Sequence, residues 1–272
     1  MGVRGAVTKH GGEDPISRVS DLRVKLFADS ADLRVIAQMA ASPLIKGFTT
    51  NPTLMRKAGV ADYAAFAREA LALVRDRPIS FEVFSDEFEE MALQALEIAS
   101  WGTNVFVKIP VTNTRGEFAG PLIRQLVTAR VQLNVTAILT VEQVEQVANC
   151  LSPDVASFVS VFAGRIADTG RDPVPIVRRS VELVAALPRT AIIWASPREL
   201  LNVIQADQCG CHVITAPDDV LAKLPLVGKD LAEFSLDTVR MFRRDAVAAA
   251  YAITLSSAVG QAGGYKPRRG AL

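Results

Sequence analysis

With 272 residues, half of them hydrophobic, the chain can bury one sizeable core, and an α/β barrel of about 250 residues is a standard single-domain solution at this length. Thirty Lys and Arg against 29 Asp and Glu leave a net charge of +1, which gives no electrostatic footprint for nucleic acid or an anionic membrane surface. No run approaches the ~18 uncharged apolar residues of a membrane span, and charged and glycine residues stand where a signal peptide has its apolar core, so a soluble, cytoplasmic protein is expected.

Residues 1–22 mix Gly, Lys, Arg, Glu and Pro without a sustained period and predict a flexible extension. Eight short apolar runs then alternate with segments of helical spacing: Val24 to Ala28, Ile45 to Phe48, Ile79 to Phe84, Val105 to Ile109, Val131 to Val135, Val155 to Val161, Ala191 to Ala195 and Cys211 to Thr215. The intervening 3.6 period is clear in Tyr63, Phe66, Ala67, Ala70, Leu71 and Val74, and in Phe88, Met91, Ala92, Ala95, Leu96 and Ala99. Eight strands alternating with helices predict a parallel sheet, and eight is the number that closes into a (β/α)₈ barrel, here over residues 23–258. A doubly wound open sheet is the competitor, but no Gly-x-Gly-x-x-Gly follows the first strand. From Lys229 to Ile253, Phe234, Val239, Phe242, Ala246, Ala249 and Ile253 predict a long C-terminal helix with a face available to a neighbouring subunit, followed by a tail over residues 259–272. Cys209-Gly-Cys211-His212 fits no common zinc spacing, and Cys150 stands alone, so no metal site is expected.

Catalytic groups of barrel enzymes sit where strands end and βα loops begin. Here those positions are nearly all polar: Asp29; Thr49, Thr50 and Asn51; Glu82; Lys108; Asn134 and Thr136; Ser160; and Ser196. Alternation puts Ser80, Glu82 and Phe84 on one strand face, Asn104, Phe106 and Lys108 on another, and Gln132, Asn134 and Thr136 on a third. A polar stripe on a buried parallel strand is costly unless it lines a site or satisfies itself internally. Lys108 is the sharpest case, an ammonium inside Val105-Phe-Val-Lys108-Ile-Pro110. Either the strand ends there and the side chain leans into solvent, or it enters a partly dry pocket, loses its proton more easily and attacks a carbonyl.

Ser196-Pro197-Arg198-Glu199 reads as an N-cap, a first-turn proline and a capping-box acid, which predicts a helix aiming free N–H groups at the barrel mouth. With Arg198 and with Arg165 of Phe162-Ala-Gly-Arg165, it suggests a grip for a sugar phosphate.

Lys46-Gly-Phe-Thr-Thr-Asn51-Pro-Thr-Leu-Met55, Val107-Lys108-Ile-Pro110 and Phe162-Ala-Gly-Arg165, in that order and spacing, resemble the transaldolase family over about Lys25 to Leu224. The resemblance implies a Schiff-base (β/α)₈ enzyme that needs neither metal nor organic cofactor, acts on sugar phosphates in carbohydrate metabolism such as the pentose phosphate pathway, and forms a homo-oligomer. By motif, Lys108 resembles the Schiff-base lysine, and Asp29 the acid/base that handles the proton of the sugar's C4 hydroxyl. Glu82 and Thr136 resemble the pair that orients a catalytic water. Asn51, Asn134 and Ser160, with Thr49 beside them, resemble hydroxyl- and lysine-orienting groups, and Arg165, Ser196 and Arg198 the phosphate grip. Fructose 6-phosphate aldolases related to the family typically carry Gln where Glu82 stands and Tyr where Phe162 stands, so this pair implies the transferase. The expected reaction moves a dihydroxyacetone unit from a ketose phosphate (sedoheptulose 7-phosphate or fructose 6-phosphate) to an aldose phosphate (glyceraldehyde 3-phosphate or erythrose 4-phosphate). The alternatives are an aldolase, a transaldolase for an unusual sugar, and a non-catalytic sugar-phosphate-binding barrel.

Overall fold

The computed structural model describes residue 16 and residues 18–253, so most of the expected N-terminal extension and all of the tail over residues 259–272 lie outside the described residues. The chain divides into two compact units, the first ending at Val227 and the second beginning at Gly228.

In the first unit the chain alternates β1 (Lys25–Asp29), α1 (Leu33–Ala40), β2 (Ile45–Thr49), α2 (Pro52–Lys57), α3 (Tyr63–Leu73), β3 (Ile79–Glu82), α4 (Phe88–Ser100), β4 (Val105–Pro110) and α5 (Gly120–Thr128). It continues through β5 (Leu133–Ile138), α6 (Val141–Ala148), β6 (Ser157–Val161), α7 (Ala163–Ala167), α8 (Val174–Leu183), β7 (Thr190–Trp194), α9 (Leu201–Gln208), β8 (Val213–Ala216) and α10 (Asp218–Leu221). The eight strands pair in parallel in sequence order, and β8 closes onto β1. This is the expected (β/α)₈ barrel. Its strands are buried on both faces, which is why they read as apolar runs with polar residues at their ends.

Helix starts are specified locally. Asp32 and Asp62 accept the backbone N–H of Arg34 and Ala65, and Thr140 and Gln143 cap α6 reciprocally. One stripe of each helix faces the sheet: Phe66, Ala67 and Ala70 on α3, and Met91, Ala92, Ala95 and Ile98 on α4. Leu96, assigned to that stripe by spacing, is instead 44% exposed. Strand β3 stops at Glu82, so Phe84 leaves the strand and is exposed. Strand β5 begins two residues later than its apolar run and extends to Ile138.

Inside the barrel, a separate cluster of Phe27, Phe106, Phe158, Ile193, Ala195 and Val213 fills the lower axis. The Phe158 ring meets Phe27 edge-on at 5.5 Å between centroids and Phe106 at 4.3 Å. Gly47 is required opposite, because a Cβ there would overlap the Phe27 ring. Above this aromatic plug, polar side chains line the strand ends. Of the expected polar faces, two begin with structural residues: Asn104 donates to the carbonyls of Val74 and Arg77, and Gln132 to those of Thr103 and Val105.

The second unit contains α11 (Leu231–Ala248), started by Asp230, whose carboxylate accepts from the N–H groups of Ala232 and Glu233. None of its residues is buried. Among the described residues no helix is long and apolar enough to cross a membrane.

Candidate active site

Register builds the site. Glu82 on β3 pairs with Lys108 on β4, and Lys108 with Asn134 on β5, so three neighbouring strands raise three polar side chains at one level. Across the barrel, Asp29 on β1 pairs with Thr49 on β2. These residues line a cavity of about 600 Å³ at the C-terminal ends of the strands, together with Asn51, Thr136, Ser160, Phe162, Arg165, Ser196 and Arg198. All twelve residues expected from the sequence therefore line one cavity, and Lys108 does not lean into solvent: it is 7% exposed.

Burial of an ammonium is tolerable only with partners. Lys108 Nζ lies 3.0 Å from Glu82 Oε2 and donates to the Thr50 carbonyl at 3.1 Å. Tyr63 Oη, itself buried so that its phenol is held well above the usual range, donates to the Glu82 carbonyl at 3.0 Å and steadies the end of β3. Burial also raises the Asp29 carboxyl above its ordinary value, against the lowering influence of the Lys108 ammonium and of the Thr49 hydroxyl, which donates to Asp29 Oδ1 at 2.7 Å. Thr49 Oγ1 also lies 2.6 Å from Thr215 Oγ1. Below them runs a chain in which Ser160 Oγ donates to Asn134 Oδ1 at 2.7 Å and Asn134 Nδ2 to Ser80 Oγ at 3.0 Å. That chain fixes the Asn134 amide beside Lys108. Thr136 Oγ1 is buried with no hydrogen-bond partner among the described residues, and of the three such side-chain atoms it is the one lining this cavity. A water or a substrate hydroxyl would satisfy it. Next to it Ala137 takes φ 62° where the β5–β6 register slips, a left-handed conformation costly for alanine that turns the end of β5 toward the cavity.

The opposite wall differs from the sequence expectation. No helix starts at Ser196: the residue has φ 61°, outside the extended region an N-cap needs, and α9 begins at Leu201. The N–H groups of Arg198 and Glu199 are not free either, since both donate to Asn202 Oδ1, at 2.7 and 3.2 Å. Side chains, not helix N–H groups, carry the positive charge on this wall. Arg198 forms a two-pronged pair with Asp168, at 3.0 and 2.5 Å, and its Nη1 donates to Ser196 Oγ at 2.9 Å. Arg165 stands over the Phe162 ring at 5.8 Å and forms no ion pair among the described residues, which leaves its charge available. Asn51 has a local duty besides lining the cavity: it caps α2 by accepting the Leu54 N–H at 3.0 Å, ahead of Pro52 in the first turn.

Gly164 holds this wall together. A Cβ there would fall inside the Ser196 carbonyl group and 3.3 Å from Arg198 Cζ. Gly164→Ala is therefore expected to push the Ser196–Arg198 segment off α7. If the expected sugar-phosphate substrates bind against this wall, their Michaelis constants should rise about tenfold or more with kcat within about threefold, and the unfolding midpoint should fall by roughly 5 °C. Steady-state kinetics and a thermal melt check it, and an unchanged Michaelis constant would separate Gly164 from the grip.

Contributors outside the expected set include Thr215, Lys57 and Ala137 in the lining and Asp168 behind Arg198, while Thr50, expected at the end of its strand, acts through its carbonyl on Lys108. Thr215 shares its strand face with Val213, one residue before β8 ends, so alternation alone could have found it. Asp168 lies 30 residues from Arg198, with no local signal.

Residues 26–253 match the family model described as Transaldolase/Fructose-6-phosphate aldolase. A "Probable transaldolase" of Desulforudis audaxviator is 36% identical over 226 residues, covering 81% of this chain and 100% of that protein. A "Probable transaldolase" of Dehalococcoides mccartyi is 34% identical over 218 residues, 79% of this chain and 97% of that protein. Among solved structures, that of KGPDC from Streptococcus mutans superposes with a TM-score of 0.51 at 10% identity, over 74% of this chain and 91% of that one, a likeness of fold.

Proposed function

Because the chain belongs to the transaldolase/fructose-6-phosphate aldolase family, we propose that it is a transaldolase whose Lys108 carries a three-carbon ketose fragment from a ketose phosphate to an aldose phosphate. The observation that carries this reading is the buried Lys108 ammonium, 3.0 Å from Glu82 and in one cavity with Asp29, whose carboxyl desolvation raises above its ordinary value.

Glu82 accepts a proton from Nζ, and the neutral amine adds to the C2 carbonyl. Loss of water from the carbinolamine gives an iminium ion. Asp29, as carboxylate, takes the C4 hydroxyl proton, the C3–C4 bond breaks, and its electron pair moves into the iminium to leave an enamine on Lys108. The aldose phosphate departs. A second aldose phosphate enters, the enamine carbon attacks its aldehyde, and Asp29 returns the proton to the new hydroxyl. Water held by Glu82 and the unpartnered Thr136 hydroxyl then hydrolyses the iminium. Arg165, Arg198 and Ser196 Oγ hold the phosphate at the other end of the cavity, with Phe162 beneath Arg165.

Glu82 and Phe162 also favour transfer over simple cleavage, since the aldolase-like combination would be Gln and Tyr. With fructose 6-phosphate alone, little free dihydroxyacetone is expected, and erythrose 4-phosphate should raise turnover to sedoheptulose 7-phosphate at least tenfold. Product analysis by mass spectrometry with and without the acceptor decides it; comparable cleavage in both arms would make the protein an aldolase.

A further inference from the structure

At the opposite end of the barrel, where the strands begin, a second cavity of about 840 Å³ opens beneath the aromatic plug. Lys25, Lys46, Arg23 and Arg189 line it, against one acid, Asp207. That carboxylate is already occupied: its Oδ1 accepts the N–H groups of Arg23 and Val24 at 2.5 and 2.8 Å, and its Oδ2 lies 3.7 Å from Arg23 Nε. Lys25, Lys46 and Arg189 have no ion-pair partner among the described residues, and Lys46 has only the Pro43 carbonyl at 2.7 Å. Three like charges around one cavity repel each other, and an anion placed among them removes that repulsion.

Two further groups define what such an anion meets. His212 Nδ1 accepts the Ile192 N–H at 3.0 Å, so the neutral ring carries its proton on Nε2 and is a donor. Burial and the Lys25 ammonium hold its pKa below the usual value, a sign of the positive potential there. Phe158, 8% exposed, offers an apolar edge at the cavity's inner end. Two of the cavity's reactive groups are taken up. Its single carboxylate is engaged, and burial pushes the Cys211 thiol up to about 12, which keeps it protonated and unreactive.

We propose that this cavity binds a phosphate-bearing small molecule, its phosphate held by Lys25, Lys46 and Arg189 and its apolar part turned toward Phe158. The occupant would bear on the catalytic end through β1 and β6, since Phe27 shares a strand face with Asp29, and Phe158 with Ser160.

The test follows the imidazole resonances of His212 by NMR in the full-length protein, with His10→Gln to assign the one other histidine, during titration with inorganic pyrophosphate and with ADP. A saturable shift is expected, and Lys25→Gln with Arg189→Gln should weaken it about tenfold or more while leaving turnover unchanged. Both side chains are exposed, so folding is not at stake, and each single variant should show part of the loss. A shift with ADP alone assigns a nucleotide-like ligand, a shift with pyrophosphate alone a compact polyphosphate, and shifts with both the phosphate chemistry they share. No His212 shift with either compound at millimolar concentration, or a shift undiminished in the double variant, overturns the proposal.

Discussion

Lys108→Met is expected to lower kcat/KM by about 10⁴-fold or more, because it removes the amine proposed to attack the carbonyl. Borohydride treatment in the presence of fructose 6-phosphate should add a three-carbon unit to the peptide containing Lys108 in the wild-type protein and to no peptide in the variant. Finding only the unmodified Lys108 peptide in the wild-type protein would end the Schiff-base mechanism. The variant also reports on the pair itself. Glu82, whose side chain is 18% exposed, loses the ammonium 3.0 Å away, and an unpaired carboxylate in that position costs about 1–3 kcal/mol. The melting temperature should fall, and Glu82→Gln added to Lys108→Met should restore most of it, since the pair then becomes neutral on both sides.

Asp29→Asn is expected to move activity and stability in opposite directions. Without the proton acceptor for C–C cleavage, kcat should drop by roughly 10²–10⁴-fold. Stability follows from the raised pKa of the buried carboxyl. The folded state holds this proton more tightly than the unfolded chain does, so the contribution of Asp29 is fully present below the ordinary value of 3.8 and is lost as pH rises through the raised folded-state value. Asparagine has no such penalty and keeps an oxygen for the Thr49 hydroxyl. The variant should therefore melt higher than wild type near pH 8, and the gap should close toward pH 4. A gap of constant size, or one of opposite sign, would show that Asp29 is stabilised as the carboxylate by Lys108. In the proposed reaction, Asp29 would be a group kept for chemistry at a cost to folding.

The barrel was legible in the sequence because its strands are buried on both faces and its helices on one, so periods of two and 3.6 residues mark them even without long-range information. The reactive end was legible for the same reason. Asp29, Thr49, Glu82, Lys108, Asn134 and Ser160 interrupt apolar runs where an interruption is costly, and register then gathers them. The Ser196 wall was not legible. Ser, Pro and Glu in the right order suggest a helix start, but the close approach of Gly164 to the Ser196 carbonyl and the Asp168–Arg198 pair hold the segment in another conformation. Both contacts join segments about 30 residues apart and leave no periodic trace. Ala137 was hidden similarly, since nothing about an alanine announces a left-handed residue at a strand slip.

The plug of Phe27, Phe106 and Phe158 turns the barrel into a vessel open at one end. Everything that reaches Lys108 enters through the mouth above it and leaves the same way. A departing aldose and an arriving one share that mouth, and in the proposed reaction the three-carbon fragment bonded to Lys108 waits between the two visits. Phe27, Phe106 and Phe158, none of which lines the cavity around Lys108, thus set its floor, and the proposed exchange of one aldose for another takes place through a single mouth.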